Sequence, residues 1–291
     1  MNGAGGWRAA AIDGALLGVF MVVAALCGVL LGIPTSPVHL VLGDPLLQRA
    51  VAGLCMGTTA VVLIRSPLGQ RSGAHFNPAT TLAFWRLGRV PGSVALRYVA
   101  AQCLGGALGL AVVAPLLGKW LARDEVHWVA TVPGRFGAAW AFAAELAMTF
   151  ALMSTALHLS QSRRWNRHTA FAVGGLVALF ITFEAPVSGM SLNPARTLAS
   201  ALFAGDYTGL WIYFAAPVVG MSLAAELFVR RRGIHAVLCA KLHHDNPHAC
   251  VFRCRWGEAA ADSKTGETAP RAAHPTPETT QNGSWNTTTS S

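Results

Sequence analysis

Six apolar runs divide most of the chain, and short polar segments separate them. An α-helix rises about 1.5 Å per residue, so about 20 apolar residues cross the hydrocarbon core of a bilayer. Four runs reach that length directly, whereas the two shortest do so only if flanking Arg, His and Gln side chains reach the interface. The pattern therefore predicts six membrane-spanning helices. The runs cover residues 9–33, 50–64, 98–118, 136–162, 169–183 and 207–228.

The composition agrees with a membrane protein. Of the 291 residues, 53% are hydrophobic and 12% are charged, which is about half the charged share of an ordinary soluble domain. So few polar groups cannot cover a surface that faces water, which argues against a disordered chain, a small disulfide scaffold or a soluble α/β enzyme. The net charge of +9 could indicate nucleic-acid binding. Most Lys and Arg residues lie in the short segments between runs, so we expect no nucleic-acid partner.

The positions of the positive charges favour one orientation. Cytoplasmic loops of membrane proteins carry an excess of Lys and Arg. With the N-terminus inside, the inner segments contain twelve arginines and the outer segments contain five basic residues. We therefore expect a multi-pass protein of the plasma (cell inner) membrane, with both termini in the cytoplasm. The inner arginines are Arg8, Arg65, Arg71, Arg86, Arg89, Arg97, Arg163, Arg164, Arg167, Arg230, Arg231 and Arg232.

Two short motifs show that the chain contains an internal repeat. Residues 75–83 read HFNPATTLA and residues 191–199 read SLNPARTLA, so each contains Asn-Pro-Ala. Each copy, at about 9–118 and 136–230, contains three predicted spans. Because three is an odd number, the copies must have opposite topology in the membrane. Inverted repeats are typical of transport proteins, whose path lies at the interface between the copies.

Each Asn-Pro-Ala is suited to start a helix that is too short to span the membrane. Asn accepts hydrogen bonds from the amides of a first helical turn, and Pro fits the first helical position. The first short helix, 77–85, would be about 14 Å long, which is half a bilayer. Two such helices from opposite faces would bring their positive dipole ends together at the midplane. We expect the Nδ2 atoms of Asn77 and Asn193 to point outward there as donors to a solute.

These motifs resemble the signatures of the aquaporin, or major intrinsic protein, family. The resemblance covers residues 9–230 and implies an all-α membrane fold of six transmembrane helices and two re-entrant half-helices. It also implies a homotetramer in the lipid bilayer, with one pore per subunit and no required cofactor. The function would be a passive channel for water and small uncharged solutes that excludes ions and protons. Residues 1–8 would form a cytoplasmic N-terminus. The matching residues are Asn77-Pro78-Ala79 and Asn193-Pro194-Ala195-Arg196.

The resemblance also implies a narrow filter on the outer side of the pore. Arg196 matches the family's filter arginine, whose charge repels cations and whose N–H groups serve a passing oxygen. Ile181 stands where strict water channels carry His, and Met190 stands at a small or aromatic position. The fourth position, on the second span, is Gly57 by ungapped counting or Met56 after a shift of one residue. Such an apolar wall argues against a filter for water alone.

Other positions favour a water channel. Glycerol channels of the family carry Asp after the filter arginine, a basic residue four further on and a Pro-aliphatic pair near the sixth span. This chain has Thr197, Ala201 and Tyr213-Phe214 there. We therefore expect a water channel that also passes some small solutes, with a glycerol or small-polyol facilitator as the alternative. A secondary transporter, which also uses inverted repeats and broken helices, is a third candidate. The channel region has no catalytic constellation, so we expect no enzyme.

Three polar residues are candidates for supporting the pore. Asp13 and Glu145 lie inside apolar runs, where an ionisable residue usually has a function such as proton relay. The resemblance implies instead that each carboxylate accepts hydrogen bonds from a re-entrant loop and holds the nearby Asn in place. We expect His75 to be a hydrogen-bonding residue at the pore, with gating by its titration as the alternative.

A cluster of Cys and His follows the last apolar run. Residues 239–254, within the predicted cytoplasmic segment 231–256, contain three Cys and three His, the residue types that bind soft metals. Their spacing matches no standard zinc finger, so three alternatives remain: a zinc-like metal site, incidental thiols on an interfacial helix, and membrane-proximal acylation. Bound metal would order this segment beside or over the inner mouth. Residues 257–291 are expected to be disordered. The candidate ligands are Cys239, His243, His244, Cys250 and Cys254, with His248 as the third histidine.

Overall fold

The computed structural model describes residues 3–244 and 246–257, and these residues form eleven α-helices without a β-strand. The predicted all-α fold class is therefore confirmed. The predicted disordered tail lies outside the described residues, apart from Gly257. The helices are α1 (Gly3–Gly32), α2 (Pro37–Leu42), α3 (Pro45–Arg65), α4 (Pro67–Ser72), α5 (Pro78–Arg86), α6 (Gly92–Leu121), α7 (Ala138–Ser160), α8 (Thr169–Phe183), α9 (Ala185–Ser188), α10 (Pro194–Ala204) and α11 (Leu210–Arg232).

Five of the described helices are long and apolar enough to cross a membrane by length and composition. They are α1, α3, α6, α7 and α11. The remaining predicted span is α8, which has 15 residues and is therefore about 22 Å long. This helix has the bounds that its apolar run predicts, and it reaches both interfaces only with the help of the segments that flank it.

The structure moves several predicted helix ends. The third span, α6, extends beyond its apolar run at both ends, because polar residues are tolerated in terminal turns. The segment between the first two apolar runs contains α2, and α3 already begins at Pro45, where the Asp44 carboxylate accepts from the Leu47 amide at 2.8 Å. α11 continues to Arg232, so that three arginines occupy its last turn, where positive charge stabilises the helix dipole.

The long helices pack in pairs that repeat between the two halves. α1 crosses α6 in parallel and α7 crosses α11 in parallel, whereas α3 and α8, the middle spans of the two halves, pack antiparallel. At the first crossing a Cβ on Gly105 would overlap the Gly14 carbonyl oxygen, so that glycine is required for the backbones to meet. Equivalent pairing of the two halves is what the inverted repeat predicts.

The half-helices α5 and α10 enter from opposite faces. We call the side where α1 begins and α11 ends the N-terminal face, and the other side the opposite face. Arg86, at the end of α5, pairs with Glu226 near the end of α11 at 2.7 Å, as expected for an ion pair near the N-terminal face. α10 packs against α6 and ends at the opposite face, near the 3.0 Å contact between His127 and Asp206. Both half-helices therefore point their N-termini towards the centre.

After α11 the chain returns across the N-terminal face. We call residues 237–256 the C-terminal segment. Its described residues contain no helix, so the helix that the incidental-thiol alternative assumed is not formed there. Loops of the helical bundle satisfy its backbone instead: Gln161 Oε1 accepts from the amide of Cys239 at 3.1 Å, and the Leu242 amide donates to the Gly73 carbonyl at 3.2 Å. On the same face, the Arg253 amide donates to the carbonyl of Arg89 at 2.9 Å.

Candidate functional site

Asn77 and Asn193 cap the two half-helices. The Asn77 Oδ1 atom accepts from the Ala79 amide at 2.9 Å. The Asn193 Oδ1 atom accepts from the amides of Ala195 and Arg196 at 3.1 and 3.3 Å. In both motifs proline follows at the first helical position, where no amide hydrogen is needed. The caps orient the positive ends of α5 and α10 towards each other at the centre of the molecule.

The same two asparagines join the half-helices. Asn77 Nδ2 donates to the Leu192 carbonyl at 2.8 Å, and Asn193 Nδ2 donates to the Phe76 carbonyl at 2.8 Å. An amide group has two hydrogens, so each Nδ2 uses one for this link and has one left for a solute. The sequence analysis expected the whole Nδ2 group to be available to a solute, whereas only one of its two hydrogens is left for this in each asparagine. Both residues line a cavity, described below.

Asp13 holds the first re-entrant loop. Its carboxylate accepts from the amides of His75 at 3.0 Å and Phe76 at 2.7 Å, and from Gln102 Nε2 at 2.8 Å. The side chain is fully buried. The shorter side chain of Asp still reaches both amides, and the Gln102 side chain adds a third donor. Gln102 was not singled out from the sequence, although a polar residue inside an apolar run was a signal for it.

Glu145 does the same for the second loop. It accepts from the amides of Ser191 at 2.6 Å and Leu192 at 2.7 Å, and from the Ser188 hydroxyl at 3.0 Å. It is fully buried as well. Both carboxylates therefore lie where the family resemblance implies, against the amides that precede each asparagine.

A pair of tyrosines also holds the two loops, and the sequence analysis missed this role. The Tyr98 hydroxyl donates to the Ser72 carbonyl at 2.7 Å, and the Tyr213 hydroxyl donates to the Ser188 carbonyl at 2.5 Å. Both tyrosines are fully buried. Ser72 and Ser188 each stand five residues before the asparagine of their motif, so aligning the repeats would have revealed them.

The loop backbones are strained in a symmetric way. Ala74 and Phe76 have φ values of 58° and 30°, and Met190 and Leu192 have values of 51° and 59°. Residues with a side chain seldom adopt such values, which cost free energy unless neighbouring contacts enforce them. The carboxylate and tyrosine contacts supply this enforcement. As a result, the carbonyls of Phe76 and Leu192 face the opposing asparagines.

A cavity of about 340 Å³ follows the junction of the half-helices. Its lining extends from Leu242 on the N-terminal face to Glu125 on the opposite face. Apolar side chains such as Phe20, Val173 and Val177 form most of the wall. A mostly apolar cavity of this kind cannot replace the hydration of an ion, whereas an uncharged solute loses less when it enters.

The expected filter residues lie around this cavity. Arg196, Ile181, Met190 and Met56 all line it. Gly57 does not, because it faces α8, where a Cβ would overlap the Gly174 carbonyl oxygen. Of the two candidates on the second span, Met56 is therefore the one at the cavity. Arg196 Nη1 is buried and has no hydrogen-bond partner among the described residues, so it can donate to a solute.

His75 lies at the N-terminal end of the cavity. Its Nδ1 atom is 3.1 Å from Thr81 Oγ1, and its Nε2 atom is 2.8 Å from the Ala240 carbonyl oxygen. Because a carbonyl only accepts, Nε2 carries a hydrogen, an assignment that follows from this network. The imidazole stacks on Phe252 at 5.1 Å between ring centroids. His75 therefore bonds to the C-terminal segment, which the sequence analysis did not anticipate.

Four of the five candidate metal ligands come together in the C-terminal segment. The ligand atoms of Cys239, His244, Cys250 and Cys254 all lie within 4.8 Å of one another. Hydrogen bonds to Cys250 and Cys254, followed by burial, raise the pKa of the Cys239 thiol. His243 is not part of the group, although the sequence analysis included it.

These features define a multi-pass membrane protein built around a central cavity, with two half-helices facing each other across it. The family model for the major intrinsic protein family matches residues 7–228. The chain therefore belongs to the major intrinsic protein family, as the two Asn-Pro-Ala motifs indicate.

Similar proteins come from plants and a parasite. The chain is 35% identical to "Probable aquaporin NIP7-1" of Arabidopsis thaliana over 194 residues, which is 66% of each chain. It is 36% identical to aquaporin NIP1-3 of Oryza sativa subsp. japonica over 158 residues, 53% of each. The chain thus spans about half to two thirds of the length of these relatives. The solved aquaglyceroporin of Plasmodium falciparum shares the fold, with a TM-score of 0.58, 19% identity, and coverage of 76% of this chain and 95% of that one.

Proposed function

We propose that this chain is a passive channel for water and small uncharged solutes, and that it excludes ions and protons. The observation that carries the proposal is the cavity along the junction of α5 and α10, with Asn77, Asn193 and Arg196 in its wall. Two helix N-termini and one arginine place positive potential along an apolar path. A cation is repelled there, whereas a neutral hydroxylic solute finds N–H donors.

The orientation and assembly form part of the same proposal. The N-terminal face carries the larger number of arginines, so we place it in the cytoplasm of a plasma (inner) membrane. We further propose a homotetramer with one pore in each subunit, an expectation that rests on the family resemblance.

The cavity wall supports passage of solutes larger than water. Ile181 and Met190 are apolar, and Met side chains adopt several conformations at low cost. A glycerol or small-polyol facilitator is therefore the second candidate. A secondary transporter fits less well, because Asp13 and Glu145 already accept hydrogen bonds from the loops and are not available to couple an ion.

Reconstitution of the full chain into liposomes tests the proposal. Stopped-flow light scattering with osmotic gradients of an impermeant solute and of glycerol measures the two fluxes side by side. We expect both fluxes to exceed those of empty liposomes. Val177→Trp should block them, because Val177 lines the cavity. The matched control is Leu179→Trp on the same helix, since Leu179 is 54% exposed and faces away. Equal flux in both variants after treatment with a metal chelator, or no wild-type flux above empty liposomes both before and after that treatment, would refute the channel.

Ile181→His tests the filter separately. The imidazole ring is polar and wider than the Ile side chain. It should therefore narrow the cavity at residue 181 and provide a hydrogen-bonding partner for water. We expect the ratio of glycerol to water flux to fall. A wild type as impermeable to glycerol as Ile181→His would show that the apolar wall does not widen selectivity.

A further inference from the structure

The C-terminal segment lies directly against the N-terminal mouth of the cavity. In the described part of the chain, Leu242 is the one lining residue that follows α11. Leu242 is 5% exposed and packs in the same buried cluster as Ala79 and Phe84 of α5. This apolar side chain therefore forms part of the cavity wall at the N-terminal face.

Three contacts dock the C-terminal segment around Leu242, and all of them involve the first re-entrant loop. The Leu242 amide donates to the Gly73 carbonyl at 3.2 Å, and His75 Nε2 donates to the Ala240 carbonyl at 2.8 Å. Phe252 stacks on His75 with an angle of 1° between the rings. The Phe252 ring also occupies the space that a side chain on Gly73 would need. The segment is therefore docked on this loop by specific contacts.

The four clustered ligands lie on both sides of these docking residues. Cys239 immediately precedes Ala240, and Cys250 and Cys254 stand two residues before and after Phe252. Drawing the ligands together therefore brings the parts of the segment around Ala240 and Phe252 together. The Cys239 and Cys250 sulfurs are 3.2 Å apart, and His244 Nε2 is 3.1 Å from Cys254 Sγ.

The geometry of the cluster fits one tetrahedral ion. With Zn–S bonds of about 2.3 Å, two sulfurs of a tetrahedral site stand about 3.8 Å apart. The mutual distances of the four ligand atoms, all within 4.8 Å, bracket this value. Three thiolates and an imidazole are the ligand types of structural zinc sites.

A buried lysine supplies the charge that such a site requires. Three thiolates, one neutral imidazole and one divalent ion together carry a single negative charge. Lys241 is 1% exposed, and its Nζ donates to the His248 carbonyl at 2.9 Å. Lys241 stands two residues after Cys239 in this segment. A buried ammonium without a counter-charge is costly, so its burial beside the thiols points to an anionic site.

We propose that Cys239, His244, Cys250 and Cys254 bind one zinc-class ion, and that the bound ion holds Leu242 over the N-terminal mouth. The metal-bound protein is the closed form, and loss of the ion releases the segment and opens the path. The binding step stands on its own, whereas the gating step rests on the proposed channel function.

The first arm of the test measures metal in the full chain, purified without an affinity tag under reducing conditions. Elemental analysis should find about one zinc ion per chain. His244→Ala and the triple variant Cys239→Ser, Cys250→Ser, Cys254→Ser should lose it. His248→Ala and Cys103→Ser are the matched controls, because neither side chain belongs to the cluster, and both should retain it. Absence of zinc from the wild type, or a Cys239–Cys250 disulfide in unreduced protein, would overturn the metal site.

The second arm measures water flux in liposomes before and after a chelator, and again after zinc is restored. We expect the chelator to raise the wild-type flux several-fold and zinc to lower it. Leu242→Ala should keep the zinc but show high flux in both conditions. Zinc binding with a chelator-independent wild-type flux would refute the gate. Zinc binding with no flux in any condition would instead refute the channel and leave the metal site standing.

Discussion

At the scale of single residues, the side-chain oxygen and nitrogen of each asparagine make different hydrogen bonds. Oδ1 caps a half-helix. One hydrogen of Nδ2 is donated to a carbonyl of the other loop, and the distance from Nδ2 to the carbonyl oxygen is 2.8 Å for both asparagines. Both asparagines line the cavity, where the remaining hydrogen can serve a solute. Because the carbonyls of Phe76 and Leu192 are positioned by strained backbone, small changes in the supporting residues should affect both loops.

Arg196→Val should relax the filter. The change removes a cationic side chain that lines the cavity but leaves the cap of α10, which uses the backbone amide of residue 196. We expect the glycerol flux to rise several-fold and proton or cation leak to become measurable with a pH-sensitive dye inside the liposomes. Arg135→Val, an exposed arginine on the same face, is the control and should change neither flux. An Arg196→Val variant with unchanged leak and glycerol flux would remove this residue from the filter.

Glu145→Gln should destabilise the second loop. The carboxylate oxygens accept from Ser191 and Leu192, and an amide places an NH₂ group against one of these N–H donors. A buried donor without an acceptor costs about 1–3 kcal/mol. Thermal unfolding in detergent should therefore shift to lower temperature. Glu226→Gln, at an exposed ion pair, should shift it little, and equal shifts in the two variants would contradict the supporting role.

At the scale of the helices, close crossings of small residues determine how the spans pack. Polar residues are scarce in these helices, and lipid tails are as apolar as the side chains. Helices in a bilayer therefore associate largely through close van der Waals contact between backbones. The crossing of α1 and α6 at Gly14 and Gly105 shows this arrangement, and that of α3 and α8 at Gly57 and Gly174 repeats it.

A single added methyl group tests the crossing. A Cβ on Gly105 would overlap the Gly14 carbonyl oxygen, so Gly105→Ala should separate α1 from α6 and cost about 1–3 kcal/mol. Gly175→Ala on α8 is the control, because none of the described atoms lies within 4 Å of its added Cβ. It should be neutral or stabilising by up to about 1 kcal/mol, since Ala favours helix. Comparable melting temperatures for the two variants would argue against tight packing at Gly105.

At the scale of the whole molecule, the inverted repeat gives each face one half-helix, but the two faces differ in charge and covering. The N-terminal face carries the arginine-rich segments and the docked C-terminal segment. On the opposite face the cavity is lined instead by Glu125, Val126 and Val129 of the connection between α6 and α7. The cavity is therefore asymmetric, even though its centre is built from two equivalent loops.

Labelling from one side of the membrane tests the orientation. In sealed cells, a membrane-impermeant maleimide should label Thr35→Cys, which is exposed on the opposite face. Arg164→Cys, exposed on the N-terminal face, should be labelled only after permeabilisation. Both are compared with the labelling of the wild type, which accounts for the native thiols. The reverse pattern would place the arginine-rich face outside and contradict the charge rule.

The sequence alone determined the features that depend on neighbours along the chain. Apolar length predicted the spans, because each helix satisfies its own backbone in lipid. Asn followed by Pro predicted the starts of both half-helices, because a cap acts within one turn, and the observed α5 and α10 begin at Pro78 and Pro194. The matching of the two motifs was enough to indicate the inverted repeat.

Only the tertiary structure decided which side chains meet across long separations. Adjacent residues on a helix differ by about 100° in direction, so only helix packing could place Met56 rather than Gly57 at the cavity. The selection of His244 over its neighbour His243 likewise depends on how an irregular segment turns back on itself. The position of Leu242 at the mouth depends on bonds to Gly73 and His75, more than 160 residues earlier. Such contacts leave no local pattern, because no short-range rule relates residues that only folding brings together.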